Sequence, residues 1–465
     1  MNRTILTITL MMTVLSSAGS GALAQEAAAP APDDALRLGT VAHDTLFVDR
    51  AQLVAVALER NEMLMAAGSM ADAADAEATG ALSGYLPRVS ANSYFLRSDD
   101  ALNSFGYRLQ NRGIAASDFA PDNLNNPGET NHWVTSFQLQ QPIFNGGMGI
   151  NGKQAADAAA RAANFDHARA RETVVLQSIE VFEGLTLALS LESVIASAIV
   201  QAEAHESLAR SLMEAEMATE ADVLQATVFL SRLRQQEITV NNQVAMSGEM
   251  VRLLTAVETP FVIAPSPVTV AQTSPVVATT DNRSDILARG EEARAAAEMA
   301  NVAVGAMLPH INFSIQRDYY SHDTLFGNDA KSWGLGVYGT WDLFKGMENI
   351  ANVRKTKAEK RAAEYRFQFE SRKARHEAAQ ARRNAEASRS RVTVAEGAVD
   401  AARASLRIVS NQYREGLASM IDLLDVQTSA TRAEGDLVQA LHDQRVDLAR
   451  LIHAAGSGTA PGGNQ

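Results

Sequence analysis

Twelve prolines punctuate the 465 residues, and they leave two very long intervals without one: Ile143 to Thr259 and His310 to Ala460. A proline inside a helix costs about 3 kcal/mol, so intervals of this length, rich in Ala, Glu, Gln, Arg and Leu, are what very long helices require. Apolar spacing agrees. Leu187, Leu191, Val194, Ile195, Ala198 and Ile199 recur in steps of three and four, as do Leu437, Leu441, Leu448 and Leu451. Taken as one helix, residues 146–216 would extend roughly 105 Å at about 1.5 Å per residue. No globular core needs a helix that long.

The aromatic residues lie elsewhere. Of 26, 17 fall within Tyr85 to Phe144 and Ile311 to Phe344, and these stretches alternate with period two. Trp133, Thr135, Phe137, Leu139 and Ile143 share one face, with Val134, Ser136, Gln138 and Gln140 opposite. Trp333, Leu335, Val337, Trp341 and Leu343 share another, and Ile311, Phe313 and Ile315 a third. Val89 to Leu96 alternates more weakly. Strands of about 8 to 12 residues with one apolar face, one polar face and aromatic ends suit a tilted crossing of an outer membrane.

An internal repeat organises these pieces. Leu86-Pro87-Arg88-Val89 returns as Leu308-Pro309-His310-Ile311, offset by 222. Trp133, Phe144, Gly146 and Ala221-Asp222-Val223-Leu224 return as Trp333, Phe344, Gly346 and Ile421-Asp422-Leu423-Leu424, offset by 200. The first repeat is expected over 25–257, with strands at 86–96 and 132–144 and helices at 146–216 and 221–257. The second is expected over 283–455, with strands at 311–320 and 332–344 and helices at 346–414 and 419–454. A connector at 258–282 and a disordered tail at 456–465 complete the plan. The change of offset puts about 22 extra residues into the first inter-strand loop, which reads as exposed. Residues 1–24 read as a secretory signal: Met1-Asn2-Arg3 as a positive head, Ile5 to Leu15 as an apolar run, and Ala22-Leu23-Ala24 as a cleavage site. After it, no stretch approaches 18 apolar residues. The chain is therefore expected to cross the inner membrane entirely. Four strands cannot close a transmembrane barrel, since eight is about the smallest, so the chain must oligomerise. Three copies give twelve strands.

At this point the residues resemble the TolC family of outer-membrane efflux and secretion channels. The likeness rests on an opening helix at Val48 to Asn61, then Tyr85-Leu86-Pro87, Gln141-Pro142-Ile143-Phe144-Asn145-Gly146-Gly147, Trp341-Asp342-Leu343-Phe344-Lys345-Gly346, and Tyr413 to Asp425. The resemblance implies an α+β membrane protein, with a long antiparallel α-helical barrel and four transmembrane β-strands per protomer that close as a 12-stranded barrel in a homotrimer. It also implies an equatorial domain built from the connector and termini. Function follows from the same likeness: passive conduction through the outer membrane of substrates exported by an inner-membrane RND or ABC transporter through a periplasmic adaptor, as in tripartite efflux or type I secretion, with a large periplasmic portion. Asp422 and Asp425 lie three apart on one helix face, so in a trimer they make two rings of three carboxylates, whose mutual repulsion would raise their pKa values. The family's selectivity ring falls on these two aspartates. Tyr413 and Asp222 match positions that hold helix pairs closed by hydrogen bonds. The closing arginine of the family would fall at Ala418, so the charged part of that lock is missing here.

Other functions find less support in the residues. The mean hydropathy of −0.11 excludes a polytopic helical membrane protein, and the absence of cysteine removes thiolate metal sites, disulfides and cysteine nucleophiles. A net charge of −13 argues against a general nucleic-acid binder. The 13 Lys and Arg between Arg354 and Arg391 read as a solvated helix face, and Gly334-x-Gly336-x-x-Gly339 opens no helix, so it is no dinucleotide loop. No catalytic constellation, metal spacing or cofactor motif is present. The remaining alternative is a soluble periplasmic coiled-coil or adaptor-like structural protein, which would leave the aromatic strands without a purpose.

Overall fold

The computed structural model describes residues 46–257, 261–263 and 280–456. The expected signal segment, most of the connector and the tail beyond Gly456 lie outside the described residues. One small unit is a two-stranded parallel sheet of β1 (Leu46–Val48) and β4 (Phe261–Ile263). The main unit follows the pattern of two repeats. In the first, α1 (Arg50–Arg60) and α2 (Glu62–Gly80) lead to β2 (Arg88–Ser98). The inter-strand segment carries α3 (Ala101–Gln110) and α4 (Pro121–Asn125), then come β3 (Thr130–Phe144), α5 (Met148–Glu214) and α6 (Glu220–Thr255). In the second, α7 (Ser284–Gly305) leads to β5 (His310–Ser321), β6 (Ala330–Thr340), α8 (Glu348–Arg414) and α9 (Met420–Ala455). The long helices of the two repeats match in length and stand 200 residues apart, with 67 residues in α5 and α8 and 36 in α6 and α9. Each 67-residue helix is about 100 Å long.

The strands form one antiparallel sheet in the order β2-β3-β5-β6. Three differences from the sequence reading have physical causes. Entry helices α2 and α7 precede the first strand of each repeat; α7 has few large apolar side chains, so its face against α5 and α8 is built from alanines and shows weak periodicity. Strand β6 stops at Thr340, because Trp341 turns out of the ladder to donate from Nε1 to Met307 O at 3.1 Å. The loop between β2 and β3 is folded rather than simply exposed: Tyr107 stacks on His132 at 4.4 Å, and Arg108 binds Asp118 at 2.9 Å and Pro127 O at 2.7 Å.

One further correction concerns α5. It contains an 18-residue stretch apolar enough, by composition, to cross a membrane. That stretch belongs to a 67-residue helix, far longer than a single span, which packs against α2, α6, α7 and α9 while about a fifth of the stretch itself is buried.

Both helical hairpins end in the same motif. At the first, Met217 N donates to Leu212 O and Glu216 N to Met213 O; at the second, Leu417 N donates to Gln412 O and Gly416 N to Tyr413 O. The left-handed residue is Gly416 in one and Glu216, at φ 61°, in the other. Ala209, Val223, Ala226, Tyr413, Met420 and Leu423 then form one buried cluster, drawn from all four long helices, which fixes both tips at the same end.

A second cluster ties α7, α8 and α9 together. Arg283, 4% exposed in its side chain, holds Asp285 with two hydrogen bonds, Glu377 at 3.0 Å and the carbonyl of Ala454 at 3.3 Å. Beside it, His453 is pushed down to about 4 by burial and by the charges of Arg169 and Arg283. An unfolded histidine binds its proton near 6.5, so the unfolded chain gains protons first as pH falls. Stability is therefore expected to drop between about pH 6.5 and pH 4, by about 1–2 kcal/mol per chain at the lower end, because the part of the ring that stays in contact with water screens the effect. Denaturation midpoints at pH 7 and pH 4.5 check this, and His453→Asn should flatten the difference.

Candidate functional site

The sheet presents two chemically distinct faces. Register places Phe95, Trp133, Phe137, Leu139, Ile315, Trp333, Leu335 and Val337 on one of them, and most of these are exposed. The other carries Asn92, Ser136, Gln138, Gln316, Asp318, Ser332 and glycines 334 and 336. It is a hydrogen-bonded surface: Asp318 Oδ1 accepts from Ser136 Oγ at 2.6 Å and from Gln316 Nε2 at 2.7 Å. The glycine triplet read as a decoy lies on this strand, and a side chain at Gly336 would meet the ring of Tyr338 within 3 Å. Space for a tyrosine explains that glycine. The β2–β3 segment stacks on this polar face through Tyr107, His132 and Tyr320.

At the far end of the helices the structure brings the four expected gate residues to the hairpin tips, in different roles. Thr219 and Ser419 each open a helix with a reciprocal capping box. Thr219 N and Oγ1 donate to Asp222 Oδ2 at 2.9 and 2.8 Å, and Ser419 N and Oγ donate to Asp422 Oδ2 at 3.0 and 2.6 Å. Asp222 and Asp422 are thus local structural acceptors in the protomer. The Ser419 hydroxyl, then its backbone N–H, hold the Asp422 carboxyl below its usual range. This is opposite to the upward shift expected from a ring, because the repulsion that would raise it needs other copies. Asp425 is exposed on the same face, and its carboxylate has no side-chain partner among the described residues.

Tyr413 does not reach Asp222 with a hydrogen bond. Its hydroxyl is buried without a partner among the described residues, and burial, then the nearby charge of Asp222, push its pKa up. Ala418 packs against the tip cluster, so the position expected to lack an arginine makes an apolar contact instead. Sequence reasoning missed a polar pocket of about 550 Å³ above the tips, lined by His205, Arg403, Arg407, Arg414, Gln427 and Glu434 among others. The signal was present as arginines four and seven residues apart on α8. No three His, Asp or Glu converge as a metal site among the described residues.

A sheet with one apolar and one polar face, mounted on two helical hairpins about 100 Å long, defines an outer-membrane channel protein. The chain belongs to the outer membrane efflux protein family, which matches residues 53–256 and 277–457. That family comprises transport channels rather than enzymes, and this chain is an outer-membrane efflux channel. Solved structures share the fold. A membrane protein from Pseudomonas aeruginosa is 19% identical, over 87% of this chain and 93% of its own, with a TM-score of 0.77. The CmeC outer membrane channel of Campylobacter jejuni is 18% identical over 93% and 94%, with a TM-score of 0.75. The outer membrane protein VceC of Vibrio cholerae is 19% identical over 88% and 96%, with a TM-score of 0.73. No curated protein sequence matches the chain.

Proposed function

We propose that three copies of this chain close a 12-stranded barrel in the outer membrane and a helical tunnel in the periplasm. The tunnel passively conducts substrates delivered by an inner-membrane RND or ABC transporter through a periplasmic adaptor. The observation that carries this reading is the four-stranded sheet: β2 and β6 are unpaired edges, and one face exposes Phe95, Phe137, Ile315, Trp333, Leu335 and Val337. In lipid an open edge is forbidden, so β6 must pair with β2 of another copy.

Two further features support closure by copies. A side chain at Gly146 would strike Gly305 O at 2.2 Å, whereas its repeat equivalent Gly346 has nothing within 4 Å. The second repeat leaves open the space that the first repeat fills. The helix layer also ends in opposite charges: α8 exposes Arg354, Lys357, Arg361, Arg372, Arg375 and Arg383 within an arc of about 80°. At the other edge, α2 carries Glu62, Asp72, Asp75 and Glu77 and no cation. Edge meets edge with opposite sign.

In this assembly Asp422 and Asp425 form the selectivity rings at the tips, and Tyr413 with Asp222, not hydrogen-bonded to each other within one chain, forms the closing contact only once the copies meet, beside apolar packing at Ala418 in place of a charge. The expected result is a protein extracted from outer membranes only by detergent, which migrates on gels as a heat-modifiable trimer. Release as a soluble monomer by osmotic shock would instead favour a periplasmic coiled-coil protein.

A further inference from the structure

Two cations stand on the apolar face of the sheet without a counter-charge. Register pairs Arg317 with Trp333 and Tyr319 with Lys331, so all four side chains lie on the face shared with Phe137, Ile315, Leu335 and Val337. Arg317 and Lys331 are diagonal neighbours across the β5–β6 ladder, at a spacing long side chains can bridge. The Arg317 guanidinium sits 5.5 Å from the centre of the Tyr319 ring, which leans it toward Lys331 and toward the strand ends remote from the long helices. Neither cation forms an ion pair among the described residues, whereas Arg97 at the end of β2 is paired with Glu129. Trp333 is 69% exposed.

A charged side chain on a lipid-contacting strand is costly at mid-depth and tolerable near the interface, where it can reach a headgroup. Arg and Lys grouped beside an aromatic pair have the chemistry for one class of lipid group. They suit a phosphate, because a guanidinium presents two parallel donors and an ammonium a point charge. We propose that Arg317 and Lys331, with Tyr319 and Trp333, bind the phosphate of a phosphorylated lipid headgroup in the outer leaflet. This rests on the reading that the apolar face meets lipid. The occupant is a lipid phosphate rather than a free ion because the apolar floor of the site, Ile315, Leu335 and Val337, continues below the cations as a track for acyl chains.

The test uses full-length protein in phosphatidylcholine nanodiscs, with bisphosphorylated lipid A as the probe and retained lipid counted by native mass spectrometry. Wild type is expected to retain the probe, and the Arg317→Gln/Lys331→Gln variant to bind it about a hundredfold more weakly, tenfold for each charge-assisted contact. Arg317→Lys should keep most of the affinity. Wild type should bind the dephosphorylated lipid no better than the double variant does, a comparison that does not depend on how any variant folds. Equal binding of the phosphorylated probe by wild type and double variant overturns the proposal. So does displacement of the probe by millimolar inorganic phosphate, which would mark a free-anion site. Failure of the chain to enter nanodiscs at all would instead count against the membrane reading itself.

Discussion

Channels reconstituted from the Asp425→Asn chain are expected to lose most of their preference for cations and to be blocked by multivalent cations at least tenfold more weakly. At about 5 Å in a water-like dielectric, a carboxylate attracts a divalent cation by about 1.7 kcal/mol, so a ring of three supplies about 5 kcal/mol before salt screening. Even a third of that is more than tenfold in block. Asp425 is the clean position for this test, because its carboxylate takes no part in the helix cap and its repeat equivalent is Gln225. Asp422→Asn should also reduce selectivity, but it alters an acceptor of Ser419 N and Oγ as well, so part of its effect will be fraying of the first turn of α9. Reversal potentials and block in planar bilayers measure both variants. An unchanged reversal potential for Asp425→Asn would remove the selectivity role from these tips.

Much of the helical fold could be read from residues alone because its determinants are local. Proline exclusion and apolar spacing in steps of three and four act within a few positions, and the 200-residue repeat carries the pattern from one half to the other. The strands were legible for the same reason, since alternation is a property of neighbours. What escaped depends on distant partners. Tyr107 folds its loop by stacking on His132, 25 residues on, and Trp341 leaves β6 for the carbonyl of Met307, 34 residues back in the α7–β5 connection. Helix α7 is built for alanine-lined contact with α5 and α8, so nothing in its own apolar spacing announced it. The tip residues show the same limit. That Asp422 caps a helix is a three-residue fact, whereas the partner of Tyr413 depends on how several helices, and other copies, approach one another.

The largest stability loss from a single substitution is expected at Arg283. Its guanidinium is almost wholly buried and joins the start of α7 to the middle of α8 and the end of α9. Burial alone would raise Asp285, yet the hydrogen bonds from Arg283, with the charge of Arg169, bring its pKa below the usual carboxylate range. Arg283→Met therefore strands a half-buried carboxylate and an unpaired carbonyl at Ala454. Removing one partner of a buried pair costs about 3–5 kcal/mol, and because Asp285 and Glu377 keep some access to water, about 2–4 kcal/mol is expected here. The sign of the second change separates charge from packing. If the stranded charge is the cause, Arg283→Met/Asp285→Leu should recover at least half of the loss, since two apolar side chains leave no carboxylate to solvate. If Arg283 acts chiefly by filling space between three helices, the double variant should be no better than the single one. Guanidinium denaturation of the purified protein at pH 7 and fixed concentration decides between them.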